Sequence, residues 1–191
     1  FAAVRHERSA HRPDGLYSYR PPMAPIPAGA SATTGGRWFD LSASVTFAQG
    51  DEGVLWSTGT ENSGVSVFVQ SGRLMVDYNA FNEHTVIESA SEIPPGDVVL
   101  QMRLERTDRT TGWCEVSING NACGRNDIPF YMRMVSSVGS SVGYDHGSPV
   151  SEHYDAPYAF TGDLHEVVIR VPERRSDAEK KAAAESEMSR Q

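Results

Sequence analysis

One stretch of this chain gathers more chemistry-bearing side chains than any other. Between Gly143 and Gly162 stand Asp145, Glu152 and Asp155, His146 and His153, and Tyr144, Tyr154 and Tyr158. Carboxylates at such spacing are hard oxygen ligands suited to calcium, with Asp145, Glu152 and Asp155 as the candidates. The two histidines would add nitrogen ligands for a softer metal. The three tyrosines could stack on a sugar or fill a partner's pocket. The same residues would also serve a segment that packs on its own domain, with Tyr158 and Phe160 as anchors. A long polar and aromatic loop among short turns is a candidate ligand- or partner-binding loop in its own right.

Elsewhere the chain lacks the signatures of a catalyst. No G-x-S-x-G elbow, P-loop, zinc-type cysteine cluster or H-E-x-x-H occurs. His84 and His165 stand alone on strand-like segments, and His6 and His11 fall near the start. Trp38, Trp56 and Trp113 are the possible sugar platforms. Trp56 sits among polar Ser57 and Thr58 and Trp113 follows a turn, so either could be exposed, while Trp38 is expected to plug an end of the sandwich.

The elements that must position these groups are strands. Phe39, Leu41, Ala43, Val45 and Phe47 alternate with Asp40, Ser42, Ser44 and Thr46, the pattern of a strand with one buried face. Val98, Leu100, Met102 and Leu104 repeat it. Shorter alternations run through Val54–Ser57, Val65–Val69, Leu74–Tyr78, Thr85–Glu88, Cys114–Ile118 and Val167–Val171. Ser71-Gly72 is the expected turn between two of them, and the broken parity between Leu164 and Val167 predicts a bulge. The fold class is therefore all-β, a two-sheet antiparallel β-sandwich. Five of the eleven prolines lie within residues 1–27, so residues 1–35 are read as a Pro-rich connector or arm. Residues 36–171 form the sandwich, and 172–191 a charged tail with a short helix over about 177–189 opened by the capping box Ser176-Asp177-Ala178-Glu179.

The chain has 191 residues and a net charge of −8, and its body, residues 21–171, carries −10. That balance repels phosphate backbones and argues against nucleic acid as a partner. No run approaches the ~20 apolar residues of a membrane-spanning helix, and no basic-then-apolar leader opens the chain. A type I′ turn at Asn119-Gly120 would pair Ile118 with Asn121 and Val116 with Cys123, leaving Cys114 diagonal to Cys123, near the far limit for a disulfide. Two thiols are expected, consistent with a reducing, cytoplasmic compartment.

Several segments together resemble the C-terminal β-sandwich region of bacterial arylsulfatase-type sulfatases. The pattern V-G-x-D-x-G-x-P-V-x-x-x-Y-x-x-P-[FY]-x-F-x-G is met by Val142-Gly143, Asp145, Gly147, Pro149-Val150, Tyr154, Pro157-Tyr158, Phe160 and Gly162. Gly53-Val54-Leu55 with Gly64–Val69, Gly72-Arg73-Leu74 with Tyr78-Asn79, and Ile93-Pro94-Pro95-Gly96 agree in the same order. The resemblance covers about residues 14–171 and implies a concanavalin A-like, laminin-G-like jelly roll. The sulfatase C/S-x-P-x-R nucleophile motif is absent, so no catalytic residue and no cofactor carries over. The family's Y-N-F-L-G segment is altered to Tyr78-Asn79-Ala80-Phe81-Asn82.

The expectation is a non-catalytic accessory domain of an arylsulfatase-like sulfuric ester hydrolase. It would pack on the catalytic sulfatase domain of the same polypeptide through the arm and the 142–162 loop, or mediate homo-oligomer assembly. The alternative is a stand-alone carbohydrate-binding, lectin-like module. A polysaccharide lyase or hydrolase would need His, Tyr and Arg clustered on one strand, which the sequence does not offer.

Overall fold

The computed structural model describes residues 15–133 and 138–172. Eleven strands run in chain order: β1 Leu16–Tyr19, β2 Trp38–Phe47, β3 Gly53–Thr60, β4 Ser63–Gln70, β5 Arg73–Ala80, β6 Glu83–Glu88, β7 Gly96–Arg106, β8 Gly112–Ile118, β9 Asn121–Ile128, β10 Ser140–Val142 and β11 Asp163–Arg170. They form a six-stranded sheet in the order β1-β11-β2-β7-β8-β9 and a five-stranded sheet in the order β10-β3-β4-β5-β6, all pairings antiparallel. No helix occurs among the described residues, and the helix expected over 177–189 lies outside them. The fold is an all-β, jelly-roll-like sandwich, as the alternation predicts.

The six-stranded sheet follows the sequence pattern closely. β2 alternates strictly between buried and half-buried positions, and β7 and β8 do the same over their central residues. The inward phase (Phe39, Leu41, Leu100, Met102, Leu104, Cys114, Val116) meets Leu55, Trp56, Val65, Val67, Leu74, Val76 and Tyr78 of the other sheet to form one core. The predicted bulge in β11 is present between Leu164 and Glu166.

Three expectations are corrected. Trp56 does not reach the surface: a bulge between Val54 and Trp56 places both Leu55 and Trp56 in the core, with the indole 6.0 Å from the Phe39 ring. Trp38 does not plug an end. It occupies the outward phase of β2, opposite Glu105, because the inward phase begins at Phe39. Finally, Val116 faces Gly124 rather than Cys123, since the β8–β9 hairpin is bulged just beyond its Asn119-Gly120 turn. Both cysteines are free thiols.

The segment expected as a connector contributes to the sandwich. Tyr17 and Ser18 of β1 pair with Ile169 and Val168 of β11, and Ile26 exchanges two backbone hydrogen bonds with Ser140 of β10.

Candidate functional site

The predicted binding loop is a cover over the outer face of the five-stranded sheet. Strands β3, β4 and β5 are buried almost continuously rather than alternately, because residues 143–162 roof their outer side. Val54, Phe68 and Met75 meet Tyr154 there in a second, smaller apolar cluster. The polar residues of that face are roofed as well, and each finds a partner in the cover or the sheet, as buried polar groups must.

Asp145 is the hub. It is 1% exposed. Its Oδ1 accepts from the Ser57 hydroxyl at 2.8 Å, and its Oδ2 accepts from the Tyr154 hydroxyl at 2.6 Å and the Val150 N–H at 3.0 Å. Ser57 has one proton and gives it to Asp145, so Ser141, 2.9 Å away, donates to Ser57. His146 Nδ1, 3.1 Å from the Ser141 oxygen, must then be the protonated nitrogen. The row His146–Ser141–Ser57–Asp145 thus passes its hydrogens toward a buried carboxylate. Ser141 gives its hydrogen to another hydroxyl, and Ser57 is buried with an acceptor, Asp145, that is already held by Tyr154 and Val150, so the row presents no activated nucleophile at the surface.

A second carboxylate, Asp77, has no exposed surface. It accepts from Ser151 Oγ at 2.6 Å and from His84 Nδ1 at 2.9 Å, and His84 Nε2 lies 4.0 Å from Glu152. His84 is therefore not isolated, as its sequence position suggested. The order hydroxyl–carboxylate–imidazole places the acid between the other two groups, which is not the relay of a hydrolase. Burial pushes the Asp77 carboxyl above its ordinary value, against the opposing hydrogen bonds from Ser151 and His84.

Of the remaining loop residues, Glu152, His153 and Asp155 are exposed. Tyr158 donates to Glu52 at 3.1 Å, and burial with that bond pushes its hydroxyl up to about 12. Tyr144 donates to the Met23 carbonyl at 3.2 Å beside a groove of about 390 Å³ that also takes in Pro21, Phe160 and His165. The structure does not gather Asp145, Glu152 and Asp155, the three carboxylates proposed for calcium, into one ligand set. Both oxygens of Asp145 are committed to protein donors, and no group of three or more metal-ligating side chains forms among the described residues. Those donors point Asp145 and Tyr154 into the chain's own domain, not outward toward a partner.

The feature missed in the sequence lies on the opposite side of the molecule. The outward phases of β11, β2, β7, β8 and β9 line up in rows. One row runs Val168–Ser42–Gln101–Ser117, and the next runs Arg170–Asp40–Arg103–Glu115–Arg125, alternating in charge across five strands. A third carries Trp38, Glu105 and Trp113. The short residues of the first row floor a trough of about 420 Å³, and the charged row walls it. That volume falls in the ~300–1,000 Å³ range of small-molecule sites.

The wall is held in place. Arg103 Nη1 donates to both oxygens of Asp40 at 2.8 and 3.1 Å, Nη2 donates to Glu105 at 2.8 Å, and the guanidinium lies 5.1 Å above the Trp38 ring. Arg125 stacks 4.0 Å over Trp113 and reaches Glu115 at 3.7 Å. The sequence signal for this face was the polar phase of the alternation: Asp40, Ser42, Gln101, Arg103, Glu115 and Ser117 all stand in it.

No family model matches the sequence, and neither does any curated protein. Solved structures do match. NanB sialidase from Streptococcus pneumoniae in complex with 2-[(3-chlorobenzyl)ammonio]ethanesulfonate aligns with TM-score 0.50 and 13% identity over 77% of this chain and 24% of that one. NanB with Optactamide aligns with TM-score 0.58 and 15% identity, over 89% and 28% of the two chains. Domains LG4-5 of the mouse laminin α1 chain align at 0.48 and 14% identity, over 85% and 40%. This chain thus spans about a quarter of the length of the NanB chains. At these identities the two NanB alignments support a shared fold and nothing finer, and none of the three structures is a sulfatase.

Proposed function

We propose that this chain is a non-catalytic carbohydrate-binding β-sandwich module whose site is the trough on the outer face of the six-stranded sheet. The observation that carries the reading is the ordered row Arg170–Asp40–Arg103–Glu115–Arg125 beside a floor of Ser42, Gln101 and Ser117. Planar and hydroxylic groups fixed on a rigid sheet suit the closely spaced hydroxyls of a sugar, and a preorganised wall avoids the entropy of ordering long side chains on binding. The fold shared with NanB supports the reading by analogy, since a sialidase by its name acts on sialylated sugars.

The test is titration of the protein with a broad panel of neutral and acidic oligosaccharides, followed by tryptophan fluorescence, because Trp38 and Trp113 stand behind the wall. Saturable quenching or enhancement by members of the panel is expected. A flat response throughout would overturn the proposal.

A second reading, the accessory domain of an arylsulfatase-like hydrolase, rests on the ordered motif from Val142 to Gly162. In the fold that motif's Asp145, Val150 and Tyr154 secure the cover, so it marks a way of building the sandwich. A reading frame preceding residue 1 that encodes a C/S-x-P-x-R motif would favour this reading. The trough would then serve as a substrate-holding surface beside a catalytic domain.

A further inference from the structure

Resting on the carbohydrate-binding reading, we infer that the trough takes a saccharide bearing a single oxyanionic substituent, a carboxylate or a sulfate, which docks on Arg170. The groups left over in the trough carry the inference. Asp40 gives both oxygens to Arg103, and Arg103 also holds Glu105. Arg170 stands opposite Asp40 across the ladder, yet its guanidinium makes no ion pair or hydrogen bond among the described residues. Gln101, which lines the trough, spends its Oε1 on the Gly120 N–H at 3.0 Å and the Ser117 hydroxyl at 3.4 Å, which leaves its amide N–H groups uncommitted. The Ser42 hydroxyl is likewise uncommitted.

The free inventory at this end is therefore a guanidinium fork, an amide donor and a hydroxyl. That set is rich in donors and matches an oxyanion with adjacent sugar oxygens. At the other end Glu115 is held only loosely, 3.7 Å from Arg125, and offers an acceptor for sugar hydroxyls. Arg170 and Glu115 lie three strand spacings apart, about 14 Å at ~4.8 Å per strand. The polarity fixes the ligand's direction, with the anionic group toward β11 and neutral rings toward β8. The acidic body of the domain, at −10 over residues 21–171, disfavours a polyanion and leaves room for one anionic group.

The experiment is calorimetric titration of the full chain with matched sugars. Lactose, sialyllactose and sulfated lactose share one core and carry no anion, a carboxylate or a sulfate. Cellobiose and cellobiouronic acid repeat the comparison on a gluco core. An anionic member is expected to bind about tenfold or more tighter than its neutral parent, with the preference shrinking as salt is raised. The carboxylate and sulfate arms tell which oxyanion is preferred. In Arg170→Gln the anionic and neutral members should bind alike, and Arg170→Lys should restore part of the preference. Equal binding of neutral and anionic members by the wild type would overturn this inference while leaving the carbohydrate reading standing. No binding by any member, together with a flat response to the broad panel, would sink both.

Discussion

A buried carboxylate must either collect donors or keep its proton, and the two beneath the cover do so to different degrees. Asp145 collects three donors from Ser57, Tyr154 and Val150. Asp145→Ala strands all of them in a buried site and is expected to cost about 3 kcal/mol or more. Tyr154→Phe removes the hydroxyl bridging Ser66 and Asp145 and should cost about 1–2 kcal/mol. Urea unfolding measures both. Asp77 has a carboxyl raised by burial. The folded protein therefore holds that proton more tightly than the unfolded chain does. Its contribution is full below the ordinary carboxylate value of ~4 and is lost as pH rises through the raised value. Asp77→Asn cannot ionise, so its stability relative to wild type should climb as pH rises from about 4 and then level off. A difference independent of pH would remove ionisation of Asp77 from the account.

At the scale of elements, the division between what the sequence disclosed and what it hid follows the two sheets. β2, β7 and β8 have one face on the core and one on solvent, so apolar and polar residues alternate and the strands are plain to read. β3, β4 and β5 are covered on both sides. Ser66, Asp77 and Asn79 read as solvent-facing, yet each is fully buried because Tyr154, Ser151 and the Val150 carbonyl come down to meet it. No local pattern reveals a roof supplied from 71 to 88 residues away. The turn between β5 and β6 was hidden for another reason: Phe81 and Asn82 both take positive φ, 57° and 65°, where a two-residue hairpin favours Asn-Gly. Trp56 was misplaced because the bulge before it changes the facing of its strand. If the cover is secured as the hydrogen bonds indicate, chymotrypsin should spare its four aromatic sites in the native protein, although the segment contains no strand. In Asp145→Ala, cleavage at Tyr144, Tyr154, Tyr158 or Phe160 should appear under conditions that leave the rest of the sandwich intact. Unchanged resistance would mean that the apolar cluster of Val54, Phe68, Met75 and Tyr154 is sufficient to hold the cover.

Across the whole molecule, the surfaces available to a partner are unequal. The outer face of the five-stranded sheet is closed by its cover. The flank where β6 and β9 meet is sealed by Ala90 N–H on the Cys123 carbonyl and Asn126 on the Val86 carbonyl, both at 2.6 Å, and β10 is bridged by Ile26. Among the described residues, the outer face of the six-stranded sheet is left uncovered, and its outward-phase side chains stand outside the core cluster. That separation allows function and stability to be tested independently. Ser42→Trp would place an indole on the trough floor, between Val168 and Gln101 in the row, without touching Leu41 or Ala43 on the buried phase of β2. Binding of every sugar that the wild type accepts should fall by about tenfold or more, since the added ring occupies the volume a saccharide needs. The urea midpoint should barely move, because exposed substitutions away from special features usually change stability by only about 0.5 kcal/mol. The two readouts separate the explanations. Binding retained with an unchanged midpoint would move the ligand to another surface, and the groove beside Tyr144, Met23 and His165 would be the next to fill.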